Sequence, residues 1–255
     1  MKQRSQKIRI VYKNRKLEIS YFFRKKRNAE KTVLYLHGMG CSKEDFAQAF
    51  AEKSFEKYSL IALDFPGSGK TLYPEDCKLT LKDLEKITQL FLKKIKAKAP
   101  FFIIGHSMGG VVGLLLAEKM KKKVLGFVSV EGNMMPQDCF WSRKIAQQSL
   151  DEPGAALAEF KRRTFLSRPN AQACFDYSRS LVEYSDHGRL LQRFLGLEAP
   201  KVFVFGSKNT KELSYLKKLE KGGSQTVKIS KAGHFPFRDN GKEYYEKVGE
   251  FLDQN

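Results

Sequence analysis

Six short apolar runs constrain the fold of this 255-residue chain more than any other feature: TVLYLHG (32–38), SLIALDF (59–65), FFIIGHS (101–107), VLGFVSVEG (124–132), KVFVFGS (201–207) and TVKIS (226–230). Most run without a polar break, as strands do when helices cover both faces of a sheet. Segments with helical apolar spacing lie between them, at 43–57, 80–97, 109–122, 211–221 and 241–252. Ahead of them, residues 8–23 alternate well enough to predict two antiparallel strands around Lys13-Asn14-Arg15. This rhythm predicts an α/β protein with a mostly parallel central sheet flanked by helices.

One connection breaks the rhythm. Residues 133–200 have no strand-like run and carry aromatic and small residues in helical groupings such as CFWSRKIAQQSL and AALAEFKRRTFL. A structureless loop of that length is out of place in a compact domain, so residues 133–199 are expected to form a helical cap. Residues 1–132 and 200–255 would then make the core domain.

The formal charge is +19, from 47 basic and 28 acidic residues, which raises the question of a polyanionic partner. The lysines are scattered as small clusters along helical stretches, with no RNA-binding signature or Cys/His finger among them. No nucleic-acid partner is expected. The four cysteines, Cys41, Cys77, Cys139 and Cys174, have neither CxxC spacing nor clustering, which argues against zinc and against a disulfide framework. The basic N-terminus lacks the apolar core of a signal peptide, and no window approaches a membrane span, so a cytoplasmic protein is expected.

Two stretches carry candidate chemistry of different kinds. DFPGSGKT (64–71) ends like a phosphate-binding loop, but counting back from Gly69 puts Asp64 where such a loop needs its first glycine. A carboxylate there would repel phosphate. GHSMG (105–109) stands between the strand-like FFIIG and the helix-like GGVVGLLLAEKM, the setting in which G-x-S-x-G exposes a nucleophilic serine on a sharp turn. Ser107 is the candidate nucleophile. HGMG (37–40) closes an earlier strand, where backbone N–H groups can face an oxyanion, with Met39 and Met108 as the donors. His234, in KAGHFPF after the last strand, is the candidate base; His37 and His106 read as structural.

With HGMG, DFPGSGKT, GHSMGG and GHFPF in order, the chain resembles the α/β-hydrolase family over nearly its whole length. The resemblance accounts for DFPGSGKT as the family's Asp-x-Pro-Gly-x-Gly-x-Ser/Thr turn, matched at Asp64, Pro66, Gly67, Gly69 and Thr71. It also exposes a departure. The triad acid commonly follows the penultimate strand in a Gly-x-x-Asp turn, but here that turn is Gly206-Ser207-Lys208-Asn209. Some relatives place the acid one strand earlier, where Glu131 stands. Asp138, Asp176 and Asp186, inside the expected cap, are weaker candidates.

The resemblance implies a serine hydrolase acting through an acyl-enzyme, with Ser107, His234 and Glu131 as the triad and no metal or organic cofactor. The expected substrate is a small-molecule ester, or less readily an amide or thioester. Apolar cap residues, Met134, Phe140 and Trp141 first and then Met135, Phe160 and Phe165, are expected to meet it. A non-catalytic ligand-binding protein on the same fold is the alternative, because a family fold alone does not guarantee activity.

Overall fold

The computed structural model describes residues 3–148, 155–163, 170–212 and 215–255. The chain opens with a hairpin of β1 (Gln6–Tyr12) and β2 (Arg15–Arg24). Tyr12 pairs with Arg15, so Arg15 already belongs to the strand and the turn is Lys13-Asn14 alone. Both turn residues have positive φ, at 48° and 57°, the requirement of a two-residue turn matching strand twist. Then follow β3 (Thr32–Leu36), β4 (Ser59–Leu63), α1 (Leu81–Lys94), β5 (Phe101–His106), α2 (Met108–Met120) and β6 (Val124–Val130). The expected cap holds α3 (Phe140–Ala146), α4 (Ala155–Arg163), α5 (Ala171–His187) and α6 (Leu190–Leu195). β7 (Lys201–Gly206), α7 (Leu216–Lys221), β8 (Gln225–Ile229), α8 (Pro236–Asp239) and α9 (Gly241–Gln254) complete the core.

The strands form one sheet in the order β1-β2-β4-β3-β5-β6-β7-β8, with β3 to β8 parallel and β2 antiparallel to β4. Every residue of β3, β4 and β5 is buried, which is why their sequences are unbroken apolar runs. Successive side chains feed two different cores. Leu34, Ile61 and Ile103 pack on the α1 and α2 side with Leu84 and Val112. Val33, Tyr35, Leu60 and Ile104 pack on the other side with Phe46, Tyr244 and Val248. The chain leaves β3 for β4 on one side and returns to β5 on the other, so a crevice opens beyond the ends of β3 and β5.

One expectation needs adjustment. The segment expected as one helix over 43–57 is a pair of 3₁₀ stretches, Lys43–Phe50 and Lys53–Phe55. Lys43 is tied to Asp64 and Asp45 to Arg238, so tertiary anchors set the path of this segment. The region expected as a cap packs onto the core. Ile145, Leu157, Phe175 and Leu181 belong to the same apolar cluster as Met108 and Phe65. α6 lies against the sheet layer, where Phe194 meets Phe127 at 5.8 Å between ring centroids and Arg193 pairs with Glu118 of α2. Among the described residues no helix is long and apolar enough to cross a membrane.

Candidate active site

Ser107 sits between β5 and α2 with φ 52° and ψ −120°, a backbone that L-residues rarely adopt. The flanking glycines are dictated by space. A Cβ on Gly105 would lie 2.3 Å from the Gly109 carbonyl oxygen, and one on Gly109 would lie 2.2 Å from that of Leu36. The strand, the turn and the helix can approach this closely only without side chains there. The turn is held by the Ser107 N–H donating to Val130 O at 2.9 Å and the Gly110 N–H to Ser107 O at 2.8 Å.

Met39 follows β3 and is nearly buried, and Met108 is the first residue of α2. The N–H of Met108 is thus among those a helix leaves without an intrahelical acceptor, at its positive end. His37 fixes this loop from below. Its Nε2 accepts from the Phe65 N–H at 3.0 Å and its Nδ1 lies 2.7 Å from Gly38 O, which assigns the neutral Nδ1–H tautomer. Burial lowers its pKa. His106 is likewise buried, with Nε2 2.8 Å from the carbonyl oxygen of His234. Burial first, and the neighbouring His234 second, push its pKa well below the ordinary value. Both imidazoles are thus buried and bonded to backbone oxygens, and His106 also lines the cavity described below.

Three loops converge on the third candidate. His234 follows β8, and its Nδ1 lies 3.5 Å from Oε2 of Glu131, which follows β6. Glu131 has φ 49°, and its N–H donates to Val204 O at 2.8 Å, so its side chain turns toward the end of β7. There Oε1 accepts from the Gly206 N–H at 2.7 Å, and Oε2 accepts from Asn209 Nδ2 at 3.1 Å. Glu131 is 5% exposed at the side chain and His234 is 45% exposed. The carboxylate is thus sheltered and oriented, while the imidazole reaches an open space.

That space is a cavity of about 750 Å³ whose lining includes Ser107, His234, Glu131, Met39, Trp141 and Phe160. Phe140 also lines it and is 58% exposed at its rim, edge-on to Trp141 at 5.6 Å, with Lys144 Nζ 4.2 Å above its ring. Met134 does not belong to this wall. It is 3% exposed and packs in the apolar core, because its N–H and that of Met135 are both drawn onto Asp138 Oδ2. Phe165 lies outside the described residues.

The other carboxylates considered for the triad have hydrogen-bond partners of their own, although Asp138 also lines this cavity. Asp138 caps the turn after Asn133, where burial raises its pKa, opposed by those two backbone donors. Asp176 accepts from Tyr73 Oη at 2.5 Å and from Gln172. Asp186 forms a two-pronged pair with Arg143. Asp64 explains the nucleotide-like stretch. Its fully buried carboxylate accepts from Lys43 N–H at 2.8 Å, Lys43 Nζ at 2.8 Å and Lys70 N–H at 3.0 Å. Gly69 must be glycine, since its φ is +55° and a Cβ would meet Asp64 Oδ2 at 2.4 Å. The loop therefore wraps its own carboxylate.

A profile of the alpha/beta hydrolase family matches residues 33–247. The chain belongs to that family. A Mycoplasma pneumoniae protein named as an esterase/lipase is 27% identical to this alpha/beta hydrolase over 261 residues, spanning 92% of this chain and 93% of its own. In fold, the chain is similar to a thermophilic esterase from Thermogutta terrifontis, with a TM-score of 0.77, 18% identity and 98% of both chains covered. A carboxylesterase structure from Nitrososphaera gargenis also gives 0.77, at 17% identity, covering 96% of this chain and 98% of that one. The two structures establish a shared fold.

Proposed function

We propose that this alpha/beta hydrolase cleaves carboxylic esters with apolar acyl groups through an acyl-enzyme on Ser107. Ser107 Oγ attacks the ester carbonyl as His234 takes its proton. The oxyanion is met by the N–H groups of Met39 and Met108. Glu131 holds the imidazole and stabilises the imidazolium as it forms. His234 then protonates the departing alkoxide, and a water activated by the same imidazole releases the acid. The apolar wall of Met39, Leu181, Trp141 and Phe160 favours a hydrocarbon acyl chain.

The observation that carries this reading is the 3.5 Å approach of Glu131 Oε2 to His234 Nδ1 at the wall of a cavity that Ser107 also lines. A strained serine, a sheltered carboxylate and an open imidazole from loops after β5, β6 and β8 match the division of roles in acyl transfer. The esterase/lipase name of the Mycoplasma pneumoniae relative supports the same class.

The test is intact-mass labelling with a fluorophosphonate, alongside hydrolysis of short p-nitrophenyl esters. The parent protein should gain one adduct and Ser107→Ala none, with ester turnover abolished in the folded variant. A parent that takes no label would favour non-catalytic ligand binding. Parental turnover by folded Ser107→Ala would refute the mechanism.

A further inference from the structure

Asn209 stands where a carboxylate would complete the commoner arrangement of the family, yet it is neither idle nor a substitute acid. Its Nδ2 donates to Glu131 Oε2 at 3.1 Å, and that oxygen is the one 3.5 Å from His234 Nδ1. The other carboxylate oxygen is held by the Gly206 N–H at 2.7 Å. The carboxylate is thus gripped at both oxygens from the end of β7. The grip is referenced to the histidine loop itself: the Lys208 N–H donates to Ala232 O at 2.9 Å, two residues before His234.

We infer that Asn209 is a positioning residue that aims the Glu131 carboxylate at His234, and that this site requires a neutral donor. The inference rests on the Ser107–His234–Glu131 reading. A carboxylate with one fixed oxygen can still swing the other about that contact, and the second donor removes this freedom. The requirement for neutrality follows from distance. An ionised aspartate in place of Asn209 would put two carboxylates within about 3 Å, a separation at which both cannot remain charged and one takes up a proton. An amide supplies the N–H without that conflict. The loss of the usual acid after β7 and the presence of Glu131 after β6 are therefore one coupled feature.

The experiment compares Asn209→Ala, Asn209→Asp, Glu131→Gln and the double variant Glu131→Gln/Asn209→Ala on p-nitrophenyl butyrate from pH 5 to 9. kcat and KM are resolved, and folding is checked by circular dichroism. Asn209→Ala should lower kcat by about tenfold with KM nearly unchanged, as expected for a group acting on the chemical step. Glu131→Gln should lower kcat by about 10²- to 10⁴-fold, and adding Asn209→Ala to it should change little, because the carboxylate being aimed is gone. The activity of Asn209→Asp relative to the parent should fall as pH rises. At lower pH the proton on the carboxyl pair lets the introduced carboxyl group donate as the amide does, and at higher pH two anions repel. A purely structural Asn209 would lower activity by the same factor in both backgrounds and leave the Asn209→Asp ratio independent of pH, which would overturn the inference. Full activity in Asn209→Ala with a large loss in Glu131→Gln would overturn it while sparing the triad. Near-parental activity in Glu131→Gln would remove both.

Discussion

Gly206→Ala tests how closely the fold and the site depend on each other. Gly206 ends β7 directly beneath the loop that carries His234, and a Cβ there would lie 2.3 Å from Gly233 O and 2.5 Å from Ala232 O. Both obstacles are backbone, so no side chain can swing aside. Restoring ordinary contact requires the loop to move by about 1 Å, and displacements of that size in catalytic groups cost about 10²-fold in rate. The same methyl also loads the end of the sheet, with an overpacking cost of about 1–3 kcal/mol. For a chain of this length that corresponds to a Tm lowered by about 2–12 °C. The variant should therefore remain folded at 25 °C while the rate of fluorophosphonate labelling and kcat on p-nitrophenyl butyrate both fall by about 10². The labelling rate reads the Ser107–His234 pair without the deacylation step. A folded Gly206→Ala protein that labels within twofold of the parent would refute the claim that this glycine sets the histidine loop.

Lys43→Met should destabilise the protein by about 3–5 kcal/mol, because it leaves the Asp64 carboxylate buried without its cation; calorimetry giving a loss below about 1 kcal/mol would contradict the buried-pair account. Since the same loop encloses Asp64, millimolar Mg-ATP should leave Tm unchanged, and a dose-dependent rise would restore the nucleotide reading. Trp141→Ala should change the ratio of kcat/KM for p-nitrophenyl laurate over butyrate by about tenfold with little change in Tm. Equal losses on both esters together with a large drop in Tm would identify Trp141 as a packing residue.

Local rules settled much of this protein in advance. Largely apolar runs mark β3 to β7 because a strand covered on both faces has no polar side to display. The glycines of GHSMG mark the elbow because the backbone approaches at Gly105 and Gly109 leave no room for a Cβ. Both signals lie within a few residues of what they specify. The contacts that hold Glu131 against His234 do not. Glu131, Gly206, Asn209 and His234 come from three strand ends separated by dozens of residues, and only the parallel order of β6, β7 and β8 brings them together. Met134 looked like cavity wall because its composition is apolar, but the grip of Asp138 on its backbone N–H turns it into the core. For DFPGSGKT, the misplaced Asp64 already argued against a phosphate, but that Lys43 is the cation buried against it is seen only in the fold. The sheet, the elbow and the pool of candidate groups were legible in the order of residues, since periodicity and steric exclusion act between near neighbours. What holds Glu131 against the histidine, which apolar residue faces the cavity and which lysine is buried emerged only on folding, because charge pairing and burial depend on distances that chain order does not record.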